Sequence, residues 1–303
     1  MTQPEKYSFI RYLEAKRTVD DRALNQGVWN HLVSVLEPLP RERPLRLLEV
    51  GAGIGTMLER MVEWGICRDL DYTAIDSDPS LLARAAERLL IWAGCRRWRA
   101  EKREQGRLLL EGSGQRIRAE LLAVDIFDMA GQGNRAWDLV LAHAFLDLVN
   151  LETTLPLFFS LLRPSGLFYF TLVFDGATIL RPVLNAAFDA RVEECYHRSM
   201  DERLVHNQSA RCSQTGRMLL EALSTCGASI MAAGSSDWVI HPPYSGDEAY
   251  FLHHILRFME DTLTGCPDLE THLLEQWLET RHRQVEEGRL IYIAHQMDVL
   301  GRP

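Results

Sequence analysis

A glycine-rich turn is the most distinctive chemical feature of the sequence. The apolar run Leu45–Val50 leads into Gly51, and Gly53 and Gly55 follow at alternate positions before a helical pattern begins at Thr56. Glycines between a strand and a helix let the backbone approach a ligand closely. The dinucleotide fingerprint GxGxxG requires a glycine where Thr56 stands. This difference weakens the hypothesis of a nicotinamide or flavin enzyme.

Three further side chains that can do chemistry follow apolar, strand-like runs. Asp76 and Asp125 each end such a run, and His143 ends a third. Carboxylates accept hydrogen bonds from hydroxyl and amino groups, and the charge of Asp76 would disfavour a ribose that carries a 2′-phosphate. Imidazole titrates near neutral pH, so His143 is a candidate general base if it faces a pocket.

The elements that position these residues alternate between strand and helix. Apolar patterns predict strands at 45–50, 71–75, 119–124, 137–142 and 166–174, with helices at 56–64, 79–103 and 154–162 between them. Alternation of this kind predicts a parallel sheet that is covered on both faces. Residues 5–37 have helical spacing, and Thr18 or Asp20 is expected to cap a second helix there.

Five segments in register resemble the motifs of the class I, Rossmann-like S-adenosylmethionine-dependent methyltransferases, over about residues 45–175. They are Glu49-x-Gly51-x-Gly53-x-Gly55, Tyr72 to Asp76, Leu122 to Ile126, Trp137 to His143, and Leu162 to Phe168. Ser165 replaces the first glycine of the last motif. The resemblance implies an α/β three-layer sandwich with a mostly parallel seven-stranded sheet and α-helical cap insertions.

The same resemblance implies S-adenosyl-L-methionine as the cofactor and S-adenosyl-L-homocysteine as its product. It assigns the ribose to Asp76, the adenine amine to Asp125, the adenine ring to Ile126, and the ordering of the loop to Glu49. The other predicted cofactor contacts are Gly51, Ala52, Gly53, Gly55, Ser77, His143 and Arg11. Arg11 or Lys16, on an N-terminal helix that closes the pocket, is expected to pair with the cofactor carboxylate.

The predicted acceptor is a small molecule. His143 is the candidate catalytic residue, and Asp147 either orients it or is a plain surface acid. The candidate acceptor contacts are His206, Asn207, His241 and Tyr244. No metal site is expected, because no two histidines have the His-x-x-x-His spacing and the six cysteines show no CxxC motif.

We interpret the chain as one elaborated domain with two insertions. Its units are a helical lid at 1–40, a cofactor-binding core at 41–180 with a β-hairpin extension near 107–124, a helical cap at 181–214, a continuation of the core at 215–246, a second helical insertion at 247–287 and a final strand at 288–303.

Charge and composition restrict the partners. There are 33 Lys and Arg residues against 42 Asp and Glu residues, for a net charge of −9, which disfavours nucleic acid and anionic lipid. Neither an export signal nor a membrane span is found, so a cytoplasmic protein is expected. A methyltransferase for protein or RNA, which could use the basic and aromatic segment 92–99, an inactive binding protein of the same fold, and a homodimer all stay open.

Overall fold

A ten-stranded mixed sheet organises the chain, as seen in a computed structural model that describes residues 2–38, 42–66, 69–129, 137–205, 208–209 and 212–303. Its strands are β1 (Leu45–Val50), β2 (Leu70–Asp76), β3 (Arg99–Lys102), β4 (Arg107–Gly112), β5 (Gln115–Ala123), β6 (Trp137–His143), β7 (Leu162–Arg181), β10 (Ser229–Ser235), β11 (Trp238–Ile240) and β12 (Ile291–Arg302). A separate short hairpin consists of β8 (Leu204–Val205) and β9 (Gln208–Ser209).

The strand order confirms the predicted Rossmann-like sandwich. The sheet runs β10-β12-β7-β6-β1-β2-β5-β4-β3, with β11 paired to β12. Five neighbouring strands are parallel, in the sheet order β5, β2, β1, β6 and β7. They are the five strands of the alternating strand–helix pattern, and their order along the chain is β1, β2, β5, β6 and β7. This is the doubly wound order, whose direction of winding reverses between β1 and β6. Strand β12 is inserted antiparallel between β7 and β10.

The sheet has more strands than the seven that the resemblance implies. The predicted hairpin is present as β4 and β5, and it carries an additional antiparallel strand, β3, at the sheet edge. The helix predicted to reach residue 103 therefore ends at Cys95. There Arg97 adopts a positive φ of 59° and the chain turns so that Trp98 is buried. Strand β7 continues to Arg181, well beyond the predicted end at residue 174.

Helices cover both faces of the sheet. They are α1 (Phe9–Ala23), α2 (Gln26–Leu36), α3 (Thr56–Glu63), α4 (Pro79–Cys95), α5 (Ile126–Met129), α6 (Leu151–Leu161), α7 (Ala186–Asp201), α8 (Thr215–Thr225), α9 (Glu248–Leu263) and α10 (Thr271–Glu286). One buried apolar cluster contains side chains of α2, α3 and α4, and the other contains side chains of α6 and α8. The three layers are therefore helix, sheet and helix. None of the described helices is long and apolar enough to cross a membrane.

The first helix runs without a break through the polar stretch at residues 18–21. The prediction that Thr18 or Asp20 caps a second helix is wrong, since the break comes at Asn25, whose side chain accepts from the backbone N–H of Val28 at 3.0 Å. Asp20 is instead only 3% exposed and points into the molecule. Its i,i+4 partner Lys16 lies on the same helix face.

The two predicted insertions contain mainly helices. Helix α7 lies in the first, and α9 and α10 lie in the second and pack against each other. Helix α8 and the strands β10 to β12 return to the sheet. The division of the chain into a lid, a core and two insertions stays our interpretation.

Candidate functional site

A cavity of about 440 Å³ opens at the carboxyl ends of β1 and β6, where the winding of the sheet reverses. Ligands of open α/β sheets bind at this point. Its walls come from the glycine turn after β1, the ends of β2 and β5, the segment after β6, and helix α1. The lining residues are Phe9, Leu13, Lys16, Asp20, Glu49–Ile54, Thr56, Ile75–Asp78, Leu81, Val124–Phe127, His143–Phe145, Leu148 and Val149.

The glycine turn leaves room that side chains would fill. Gly51 has a φ of +66°, and a Cβ atom there would come within 2.5 Å of the ring of Phe145. Gly53 also has a positive φ, of +53°. Gly55, the third predicted glycine contact, does not line the cavity, and a Cβ atom there would lie 3.2 Å from the Cβ of Ala85 in α4. It permits close packing of α3 against α4.

Asp76 is held in the cavity wall by the backbone. One carboxylate oxygen accepts from the N–H of Gly53 at 2.9 Å and the other from the N–H of Asp78 at 2.9 Å. Each oxygen has a second lone pair, so the carboxylate can still accept from two neighbouring hydroxyls. Ser77 lies beside it in the lining, and its contact with the cofactor stays a prediction.

A polar and an apolar group stand together after β5. Asp125 lines the cavity and its Oδ1 accepts from the N–H of Phe127 at 2.9 Å. Ile126 is 3% exposed and lines the same region, with Val124 and Phe127 on either side. An acceptor beside a flat apolar surface suits a planar base that carries an amino group.

Glu49 is a buried acid beneath the turn. The hydroxyl of Tyr72 donates to its carboxylate, and the side chain is only 1% exposed. Burial raises the pKa of Glu49 to about 7, although the Tyr72 hydrogen bond and the charge of Arg60 act in the opposite direction. The carboxyl group is therefore only partly ionised at neutral pH.

Asp20 collects donors from four elements at the wall formed by α1. Its Oδ2 lies 3.0 Å from Nζ of Lys16, 3.1 Å from Nε2 of His143 and 3.7 Å from Nη2 of Arg60. Its Oδ1 accepts from Nε1 of Trp238 at 2.9 Å. Burial alone would raise the pKa of Asp20, but the charge of Lys16 and the His143 hydrogen bond hold that pKa well below its usual range.

His143 lines the cavity, but both of its ring nitrogens are engaged by the protein. Nδ1 lies 2.8 Å from Oγ1 of Thr171, and Nε2 faces Asp20 and, at 3.3 Å, Nη1 of Arg60. Burial lowers the pKa of His143 to about 4, so the ring is neutral at pH 7. The histidine can act as a general base only after it exchanges one of these partners, and its catalytic role stays a prediction.

Asp147 was expected either to orient His143 or to lie on the surface, and it does neither. The group that orients His143 is Asp20, from the N-terminal helix, rather than the acid four residues further on. Asp147 is not a surface acid either, because its Oδ1 is buried and finds no hydrogen-bond partner among the described residues. Burial raises its pKa.

Three other predicted contacts lie outside the cavity lining. The guanidinium of Arg11 stacks 4.0 Å above the ring of Tyr250 and lies 3.8 Å from Asp247. The hydroxyl of Tyr244 donates to the carbonyl oxygen of Leu290 at 2.7 Å, and His241 is exposed. His206 and Asn207 lie outside the described residues.

Sequence reasoning missed Asp20 and assigned Lys16 only as an alternative. Both residues lie on the buried stripe of α1, at helical spacing with Tyr12, Val19 and Ala23. Charged residues inside an apolar stripe are rarely buried unless they are paired. The presence of Lys16 and Asp20 at core-facing positions of the helical pattern was therefore the sequence signal for a buried charged pair. No sequence signal pointed to Phe145 and Thr171, because their positions depend on contacts between segments that are far apart in the sequence.

The exposed basic and aromatic patch that an RNA substrate would need is not formed by segment 92–99. Trp92 and Trp98 are each 8% exposed and pack edge to face on one another. Nε1 of Trp92 donates to Glu63, and Arg96 pairs with the same carboxylate. The arginines of the segment are exposed, but its tryptophans are not.

Comparisons with known proteins give likenesses of structure alone. No protein-family model matches the sequence, and no curated protein matches it. Similar solved structures include an S-adenosylmethionine-dependent methyltransferase from Geobacter sulfurreducens with S-adenosyl-L-homocysteine, at 15% identity over 93% of both chains and a TM-score of 0.47. Another, from Thiobacillus denitrificans with the same ligand, has 12% identity over 100% of both chains and a TM-score of 0.48.

Proposed function

We propose that the chain is a methyltransferase that uses S-adenosyl-L-methionine and acts on a small molecule held beneath its helical insertions. One observation carries the proposal. The cavity at the reversal of the sheet brings together the glycine turn, the ribose-type acceptor Asp76 and the adenine-type pair Asp125 and Ile126. These groups suit a nucleoside without phosphates, since the cavity lining offers several carboxylates and a single lysine.

The cofactor would be held by residues of this chain with distinct tasks. Asp76 accepts from the ribose hydroxyls, and Asp125 accepts from the adenine amine while Ile126 packs on the ring. The backbone of Gly51 and Gly53 lies along the amino-acid portion. Lys16 is the cation within reach of that portion, so we assign the carboxylate to Lys16 rather than Arg11.

The bound cofactor supplies an electrophilic methyl group, which is transferred in an in-line displacement. The protein has to hold the acceptor in line with that methyl group and exclude water, and neither task requires a catalytic triad. Among the residues that the structure describes, the cavity lining contains Asp20, Glu49, Asp76, Asp78 and Asp125 against Lys16 alone. This excess of acids favours a cationic cofactor, and we propose a neutral or cationic acceptor.

Calorimetric titration of the full chain tests the proposal. S-adenosyl-L-methionine and S-adenosyl-L-homocysteine are titrated separately, with NADH and NADPH as matched nucleotides. We expect one site per chain for the first two ligands and no heat of binding for the nicotinamides. Absence of binding by both adenosyl ligands would overturn the proposal in favour of a binding protein that kept the fold. Tight binding of NADH would favour a reductase.

A further inference from the structure

Two thiols and a carboxylate from the two helical insertions meet outside the cofactor cavity. Cys195 lies in α7, whereas Cys266 and Asp268 lie in the loop between α9 and α10. The two Sγ atoms and a carboxylate oxygen all lie within 4.8 Å of one another. Cys195 is buried, Cys266 is half-buried and Asp268 is exposed. The cluster is therefore closed on the α7 side and open to solvent at Asp268.

These ligand types and spacings suit a soft divalent ion. Zinc is bound by thiolates at about 2.3 Å and by carboxylates at about 2.0–2.2 Å in a tetrahedral arrangement, which places ligand atoms about 3.4–3.8 Å apart. The three atoms would have to move closer by only about 1 Å to reach that geometry. Two sulfurs select zinc-like ions over magnesium or calcium, which prefer oxygen ligands. The fourth position would take water.

A cation already lies among the three atoms. Nη2 of Arg198 donates to Sγ of Cys195 at 3.5 Å, to Sγ of Cys266 at 3.8 Å and to the carboxylate of Asp268. The Arg198 side chain is 42% exposed, so it can turn into the solvent. Exposed ion pairs of this kind contribute about 0–1 kcal/mol, which makes the arginine easy to displace.

We propose that Cys195, Cys266 and Asp268 form a binding site for a divalent ion of the zinc class, and that the ion displaces Arg198. Each thiol releases its proton to solvent as its sulfur binds the ion, the carboxylate supplies the third bond, and no electrons are transferred. The ion would connect α7 to the loop between α9 and α10, and so join the two insertions. This proposal does not depend on the methyltransferase assignment.

The test uses the full chain, freed of metal and kept reduced with a phosphine rather than a thiol. Cadmium ion is the first probe, because its thiolate complexes absorb in the ultraviolet, and zinc ion is the second, in competition with a chromogenic chelator. We expect one equivalent of either ion to bind. Cys195→Ser and Cys266→Ser should abolish the cadmium–thiolate band. Asp268→Asn removes a direct ligand and should weaken binding by at least the roughly tenfold that loss of an outer-shell partner costs.

Two variants separate metal binding from effects on folding. Cys226→Ser, at an exposed cysteine outside the cluster, should bind as the wild type does. Arg198→Ala removes the competing cation and should bind at least as tightly. Weaker binding by Arg198→Ala, or a cadmium band that survives in the double variant C195S/C266S, would overturn the proposal. So would a reduced chain that binds neither ion, even if air oxidation joins the two cysteines in a disulfide.

Discussion

The carboxylate of Asp20 lies 3.1 Å from Nε2 of His143, which joins the N-terminal helix to the end of a central strand. The contact spans 123 residues of sequence and places a buried anion in the wall of the proposed cofactor cavity. Lys16, Arg60 and Trp238 complete the set of donors around it. We call Asp20 and these four donors the Asp20 network.

Replacement of Asp20, the anion at the centre of the Asp20 network, should lower the free energy of unfolding. Asp20→Asn leaves buried cations without their counter-charge, and breaking a buried ion pair in this way costs about 3–5 kcal/mol. Urea unfolding monitored by circular dichroism measures the change. Glu14→Gln, on the same helix at a pair with Arg84 that is 28% and 33% exposed, is the control and should change stability by about 1 kcal/mol or less. Equal losses in both variants would refute a special role for the network.

Asp76→Ala should weaken the binding of both adenosyl ligands. Loss of hydrogen bonds to a charged acceptor amounts to about 1.5–3 kcal/mol, which is about 10- to 150-fold in Kd. Asp71→Asn is the matched control, because Asp71 lies on the same strand but outside the cavity lining and pairs with Arg118. Calorimetry that finds the same affinity in Asp76→Ala and the wild type would remove the ribose assignment.

Lys16→Met should weaken binding of the amino-acid portion of the cofactor and leave binding of the nucleoside portion unchanged. S-adenosyl-L-homocysteine carries the carboxylate that we assign to Lys16, and its affinity should fall by about 10- to 150-fold. The nucleoside 5′-methylthioadenosine lacks that carboxylate and should bind the variant as it binds the wild type. Lys6→Met serves as the control. A parallel loss of both ligands would mean that Lys16 acts only through folding of the cavity.

Glu49 should make stability decrease as the pH rises. Its pKa is raised from 4.5 to about 7 by burial, so the folded chain holds this proton more tightly than the unfolded chain. The resulting stabilisation is complete below about pH 4.5 and is lost as the pH rises through 7, and it amounts to about 3 kcal/mol. Unfolding of the wild type and Glu49→Gln at pH 5 and pH 8 isolates this contribution. A difference between the two proteins that does not change with pH would contradict it.

His143 should have the opposite pH dependence. Its pKa is lowered from 6.5 to about 4, so the unfolded chain binds the proton more readily and stability falls as the pH decreases from 6.5 to 4. In proton NMR, the ring signal that is missing from His143→Gln should not titrate between pH 5.5 and pH 8. A midpoint near neutral pH would restore His143 as a candidate general base.

The sequence predicted the features that depend on short-range pattern. The glycine turn, Asp76 and Asp125 each adjoin their own strand, and alternation of elements was enough to align the strands in one sheet. The edge strand β3 was missed because a helical pattern continues past the point where Arg97 turns the chain. Strand β7 exceeds its prediction because the pairing partner that extends it, β12, lies more than a hundred residues away.

The candidate site was predictable only in part for the same reason. Asp147 was the nearest acid to His143 in sequence, but Asp20 is the nearest in space. Pairing of that kind depends on how α1 packs across the sheet. Arg11 was predicted as a partner of the cofactor carboxylate because it is a cation on the N-terminal helix. It lies on a different face of α1 from Lys16, however, and stacks on Tyr250.

The Asp20 network also bears on how fast ligands exchange. Helix α1 forms one wall of the cavity, and swinging it outward would separate Asp20 from the fully buried Arg60. Because that movement breaks a buried ion pair, the open form would be a minor population. A methyltransferase closed in this way would release spent cofactor slowly. The movement of the first helix, and not only methyl transfer, would then contribute to the rate of turnover.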